Sequence, residues 1–283
     1  MNYIRYLLFN ILDISYYFVK GLKRYVYTNS YSNIRILIYH DIKTKKQIKL
    51  FKNQILSLSK DYEFITPDEF ENGFKNIKTK KDKLLLTFDD GFKSNRKLAD
   101  QVLNEFDIKA LFFIISDFIG VEKQTLNYTK IINNIYPDGP KKNELSLPMD
   151  YDDIRYLISK GHVIGCHTSS HKMLSKITSI GDLKNQIILS KDKLESNFNI
   201  KIKHFAFPFG TFDSINQSSI KLLDNNFDFI YTGFRGNNKK AAKLNYRDAV
   251  NPEMSFIRLK SFLIGNADFL YKRKFNILKS YLN

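Results

Sequence analysis

Cysteine occurs once in this 283-residue chain, at Cys166, so no internal disulfide framework can form. That scarcity does not fix the compartment, because an exported bacterial protein can also do without disulfides. No apolar run approaches the roughly 20 residues that cross a bilayer, so no transmembrane helix is expected. There is no internal repeat, and no low-complexity tract beyond a bias toward Lys, Asn and Ile. Histidine is scarce, with five in all and none after His204. Acidic residues are outnumbered, 29 Asp and Glu against 45 Lys and Arg, giving a formal net charge of +16. Such a surface attracts nucleic acid, anionic lipid headgroups or acidic glycans, and the sign alone does not choose among them. No basic–aromatic recognition motif accompanies the charge, so specific nucleic-acid binding is not expected. The excess is uneven: from residue 235 onward, eleven Lys and Arg face three Asp and Glu.

What is present suits a folded enzyme-sized unit. Apolar residues make up 43% of the chain, enough for a sizeable core in one large domain or two small ones. Residues 1–29 carry apolar side chains at helical spacing, interrupted by Asp13 and Lys20. Neither an uninterrupted apolar centre nor a small-residue cleavage site is clear. The segment reads as an amphipathic helix, lying on a membrane surface or packed on the domain. Beyond it, strand-like runs at 36–39, 84–88, 110–115, 163–165, 205–207 and 229–232 alternate with helical stretches at 49–59, 95–106, 151–159, 183–197 and 214–223. Asp150 is placed to cap the third of these helices, and a last strand is expected at 256–259. Mostly apolar strands alternating with helices predict a parallel sheet covered on both faces. About seven such units fit a closed or partly closed barrel better than a small open sheet. Residues 117–148, rich in Pro and Gly with little strand signal, are expected to form a loop over the site.

Two motifs carry the chemistry. The apolar run Leu84-Leu85-Leu86 leads into Thr87-Phe88-Asp89-Asp90-Gly91, which puts two carboxylates at the C-terminal end of a strand, where barrel enzymes place their reacting groups. Some eighty residues later comes His167-Thr168-Ser169-Ser170-His171. One carboxylate and two imidazoles can hold a divalent metal with open positions, leaving the second carboxylate as a base. Adjacent carboxylates repel unless a cation or a distinct role separates them. The bland alternative is that Asp89 and Asp90 cap the next helix while the histidines lie on the surface.

At these residues the chain resembles the polysaccharide deacetylases, carbohydrate esterase family four. Thr87 to Gly91 matches that family's first motif, and His167 to His171 its second, with Gly161-His162-Val163-Ile164-Gly165-Cys166 similar to the usual approach to it. Phe205-Ala206-Phe207-Pro208-Phe209-Gly210 resembles the third motif in the form found in exopolysaccharide deacetylases acting on poly-N-acetylglucosamine. The resemblance spans about residues 34–260. It implies a distorted, incomplete (β/α)7 barrel at 30–265, followed by a basic C-terminal helix at 266–283. It implies that Asp90, His167 and His171 bind a divalent metal, zinc in most such enzymes. Asp89 is then the base that deprotonates the attacking water. The backbone N–H of Phe209 holds the oxyanion, in a substrate-binding turn formed with Pro208 and Gly210.

Two departures from the family pattern stand out. An Arg often found two residues before the third-motif proline is Ala206 here, so another residue must orient the base. Arg235, Arg258 and Lys260 are the candidates. A late Leu-x-His, whose imidazole protonates the leaving amine, is missing. The early Leu37-Ile38-Tyr39-His40-Asp41 is similar to the permuted arrangement of the exopolysaccharide enzymes, so His40 is the expected general acid; a histidine near its reference pKa can hold and release a proton at neutral pH. His162 and His204 read as structural, Cys166 as a core residue, and the phenylalanines at 205–212 as core packing with some open to sugar rings.

The expected activity is removal of N-acetyl groups from amino sugars of a bacterial surface polysaccharide or its precursor. An O-acetyl esterase or another carbohydrate amidase would use the same site, and a non-catalytic glycan- or membrane-binding protein is the reading from another class. The expected partners are an acetylated amino-sugar glycan and an anionic membrane surface. The expected location is cytoplasmic or peripheral at the inner membrane, with a periplasmic or secreted one as the alternative.

Overall fold

A computed structural model describes residues 33–73, 81–139 and 146–282 of the chain. The proposed helix at 1–29 lies outside the described residues. The chain forms β1 (Ile34–Tyr39), α1 (Lys45–Leu58), β2 (Tyr62–Phe64), α2 (Pro67–Glu71), β3 (Asp82–Phe88), α3 (Lys93–Leu98) and β4 (Leu111–Ile114). It continues with α4 (Leu126–Ile135), α5 (Tyr151–Ser159), β5 (Val163–Cys166), α6 (Ile180–Phe198), β6 (His204–Ala206), α7 (Gln217–Asp224) and β7 (Phe229–Tyr231). Last come β8 (Leu244–Asn245), β9 (Asp248–Ala249), α8 (Phe256–Leu263) and α9 (Phe269–Lys279).

The strands pair in the order β8-β7-β6-β5-β4-β3-β1-β9, all parallel, with β2 on the starting half of β3. β1 and β4 are buried along their whole length. That pattern belongs to strands covered on both faces. The two ends of the path, β8 and β9, are separated by only Tyr246 and Arg247. One broken strand therefore bridges β7 and β1 and completes a distorted seven-membered ring, the barrel expected from the strand–helix alternation.

Local signals place the helices. Thr44, Thr66, Asp150 and Asn216 each cap a helix with a reciprocal bond from the third helical residue, and Pro67 opens α2 where its missing N–H costs nothing. The helix expected at 95–106 is shorter, because α3 gives way to a wider π-type turn over Ala99–Leu103. The excursion at 117–148 does lie beside the site, but it carries a helix of its own, α4, whose Tyr128, Ile131 and Ile132 pack under Phe92 and Phe118.

One expectation is overturned. Residues 256–259 are not a strand but the start of α8, capped by Ser255, whose Oγ accepts from the Arg258 N–H. Four residues, three of them apolar, cannot distinguish a period of 2 from one of 3.6. The buried set Leu259, Phe262 and Leu263 shows the helical spacing. The last strand is β9 instead. Helix α9 packs Phe275 and Leu278 into the main core and leaves Lys272, Arg273 and Lys274 in solvent.

Candidate active site

The C-terminal ends of β1, β3, β5, β6 and β9 open into a cleft of about 300 Å³ whose walls include His40, Asp89, Asp90, His167, His171 and Arg247. Every side chain expected to do chemistry thus arrives in one place. Among the described residues, Asp90, His167 and His171 form the group able to hold a metal ion, with ligand atoms all within 4.8 Å of one another. Asp90 Oδ1 lies 3.5 Å from His167 Nε2 and 3.4 Å from His171 Nε2.

The donor set fits a cation. His167 Nδ1 lies 2.8 Å from the Ala206 carbonyl and His171 Nδ1 3.2 Å from the Asn134 carbonyl. A carbonyl only accepts, so each Nδ1 carries a proton and each Nε2 is turned toward Asp90; burial opposes charge on His167, but Asp90 and Asp89 outweigh it and raise its pKa. Burial pushes His171 down to about 4, which keeps its Nε2 lone pair free at neutral pH. Asp90 Oδ1 is buried and has no hydrogen-bond partner among the described residues. Two Nε2 atoms and a carboxylate oxygen facing one another in a dry site suit a positive charge between them, and a metal ion can supply it.

The backbone is bent to make this arrangement. Among the described residues, six non-glycine residues have positive φ, and four of them are Asp90, Thr168, His171 and Phe209. Residues in that region cost about 1–3 kcal/mol each and persist where surrounding structure enforces them. Thr168 Oγ1 accepts from the His171 N–H at 2.9 Å, which locks the loop between the two histidines. At the third motif, a Cβ on Gly210 would lie 2.3 Å from the Gly233 nitrogen, so only glycine lets this turn close on the next loop. Phe209 packs edge-on to His171 at 4.9 Å between ring centroids. The Phe209 N–H has no acceptor among the described residues, leaving a donor at the cleft wall.

Asp89 has a partner that the sequence did not reveal. Arg247 donates from Nη1 to Oδ1 at 2.8 Å and from Nη2 to Oδ2 at 2.9 Å. Its Nε donates to the Thr232 carbonyl at 3.0 Å, and Nη1 also to Thr87 Oγ1 at 3.2 Å, so the guanidinium is fixed on three sides. Burial opposes charge on Asp89, but Arg247, with His167 behind it, holds its carboxyl below the usual range. The candidates named from sequence are engaged elsewhere. Arg235 pairs with Asp248 at 3.3 Å and stacks on Phe262, Arg258 lies over the same ring, and Lys260 pairs with Asp61. Arg247, from the interruption between β8 and β9, is the side chain that holds Asp89.

The remaining histidines and the cysteine sit as expected. His162 is buried, its Nδ1 accepts from the Ala110 N–H at 3.1 Å, and burial pushes it down to about 4. His204 bridges Tyr231 and Glu71 away from the cleft. Cys166 is buried beside Ser190, and burial pushes its thiol up to about 12. Phe205 and Phe207 are core residues, although Phe207 also touches the cleft.

Comparison with known proteins agrees. Residues 76–226 match the family profile described as polysaccharide deacetylase. The chain belongs to the polysaccharide deacetylase family. It is 23% identical over 206 residues to YxkH of Bacillus subtilis (strain 168), whose name assigns it provisionally to the same family. That match covers 71% of this chain, and the chain spans 64% of that relative's length. The fold is similar to that of BC0361, a polysaccharide deacetylase from Bacillus cereus, with a TM-score of 0.63, 18% identity, and 82% and 69% of the two chains covered. It is equally similar to IcaB from Ammonifex degensii, with a TM-score of 0.62, 21% identity, and 82% and 97% covered.

Proposed function

We propose that the protein is a metal-dependent deacetylase that removes N-acetyl groups from amino sugars of a bacterial surface polysaccharide or its precursor. The observation that carries this reading is the convergence of a metal-type triad, an Arg-held carboxylate and His40 in one cleft. A divalent cation held by Asp90, His167 and His171, zinc being the best match to two imidazoles and one carboxylate, supplies Lewis-acid polarisation and a more acidic water.

The protein's own groups do the rest. Asp89, kept ionised by Arg247, accepts a proton from the attacking water. As the water oxygen bonds to the acetyl carbon, the Phe209 N–H donates to the developing oxyanion. His40 then gives a proton to the amide nitrogen as the C–N bond breaks, releasing acetate and a free amine. An amide needs that proton far more than an ester does, which is why a histidine at the mouth of the cleft favours N- over O-deacetylation.

A second cavity of about 580 Å³ shares His171 and Phe209 with the cleft and presents Asn133, Asn185 and Lys172, which suits further sugars of a polymer. Exposed Phe269 and Leu270 beside Lys272 and Arg273 support a position at an anionic membrane surface. The test is to incubate zinc-loaded protein with N-acetylglucosamine oligomers and count products. One free amine per acetate supports the reading. Acetate from O-acetylated sugars alone, with no amine, would replace it by an esterase.

A further inference from the structure

We infer that a lysine-lined cavity beside the catalytic cleft binds a negatively charged substituent of the glycan, a phosphate or a carboxylate. This rests on the deacetylase reading and goes further, since it names the class of polymer. The cavity is about 400 Å³ and is lined by Lys43, Lys45, Lys93, Lys97 and Lys123, with no acidic residue among the described residues of its wall. The two cavities meet at consecutive residues. His40 faces the catalytic cleft, while the largely buried Asp41 accepts hydrogen bonds from Ser94 Oγ at 2.5 Å and from Ser146 Oγ, both in the wall of the lysine cavity.

Among the described residues, only part of that charge is matched. Lys43 is held by Asp41 at 3.1 Å, and Lys93 by Asp150 at 2.7 Å and Asp153 at 3.1 Å. Among the described residues, Lys45, Lys97 and Lys123 have no carboxylate partner. The first turn of α1, where Lys45 sits, contains no acid. A lysine on a convex surface is simply solvated, but three ammonium groups on one concave wall repel one another and focus positive potential into the space they enclose. A counter-anion relieves that repulsion. Placed next to His40, the anion that gains most is one carried by the sugar polymer entering the cleft.

The test compares acetate release from three N-acetylglucosamine oligomers of equal length: neutral, phosphorylated, and bearing a uronate carboxylate. Wild type should show roughly three- to tenfold higher kcat/KM on a charged oligomer at low salt, with the advantage shrinking as salt is added. A Lys45→Gln/Lys97→Gln/Lys123→Gln variant should lose that preference and keep its rate on the neutral oligomer. A Lys272→Gln/Arg273→Gln/Lys274→Gln variant on α9, with the same change in charge, should retain it. Which charged oligomer is preferred identifies the group. Equal rates on all three in wild type, or a preference that survives in the cavity variant, would overturn the inference. If no oligomer is hydrolysed, the deacetylase reading fails instead, and calorimetric titration with the phosphorylated oligomer still reads the cavity: weaker binding to the cavity variant supports it, and equal binding overturns it.

Discussion

Arg247 and Asp89, 158 residues apart, meet through two parallel hydrogen bonds of 2.8 and 2.9 Å with both side chains out of solvent. The pair fixes the carboxylate's plane and leaves it charged next to the metal-type triad. Arg247→Lys keeps a positive charge but cannot donate twice in one plane. Its kcat should fall about 10- to 100-fold, the range for groups that orient a ligand or base, with metal content unchanged. Arg247→Met strands a buried carboxylate and should also cost about 3–5 kcal/mol in urea unfolding. Equal activity in the Lys variant and wild type would show that the pair only stabilises the barrel.

The triad should bind metal as a unit. Asp90→Asn and His167→Gln should each abolish stoichiometric zinc, read by elemental analysis after gel filtration. Metal that binds only the folded protein stabilises it by about 2.7 kcal/mol at one hundred times its Kd. Zinc should therefore raise the Tm of wild type and leave that of either variant unmoved. An identical rise in all three would place the metal elsewhere.

His40 should matter in proportion to how poor the leaving group is. His40→Gln should reduce kcat/KM on an N-acetyl substrate by about 10²- to 10⁴-fold. Hydrolysis of an aryl acetate, whose leaving group departs without a proton, should change far less. A parallel loss on both substrates would mean that His40 shapes the cleft rather than donating the proton.

How much of this was visible in the chain depended on how local each signal is. The strand ending in Asp89 and Asp90, the His167–His171 loop and the Asp150 cap lie within short windows, and the structure places them as the residues suggested. Arg247 has no such window. It stands in a two-residue break between strands of two residues each, and only closure of the barrel brings it beneath Asp89. Arg235 and Lys260 looked equivalent to it in sequence because their partners, Asp248 and Asp61, are also set by tertiary packing, while Arg258 lies over Phe262 one turn on along its own helix. The Phe256 segment was ambiguous for the opposite reason, since three apolar residues in four fit either period.

Stability should depend on pH through His162. Its folded pKa of about 4 lies below the ordinary histidine value of about 6.5 because burial disfavours the charged ring. Above pH 6.5 neither the folded nor the unfolded state is protonated there, and the residue has no effect. Between about 6.5 and 4 the unfolded chain takes up a proton that the folded one refuses, so stability falls as pH falls, by about 3 kcal/mol in total. His162→Gln should flatten that part of the stability profile in urea titrations. An unchanged slope would assign the pH dependence to other groups.

The most direct test of the account is acetate release by the zinc-loaded protein from an N-acetylglucosamine oligomer, run with and without a chelator and beside Asp89→Asn. The account predicts release that the chelator stops and zinc restores, and that Asp89→Asn abolishes while still binding zinc one to one. Release that survives the chelator, or an Asp89→Asn variant as active as wild type, would contradict it.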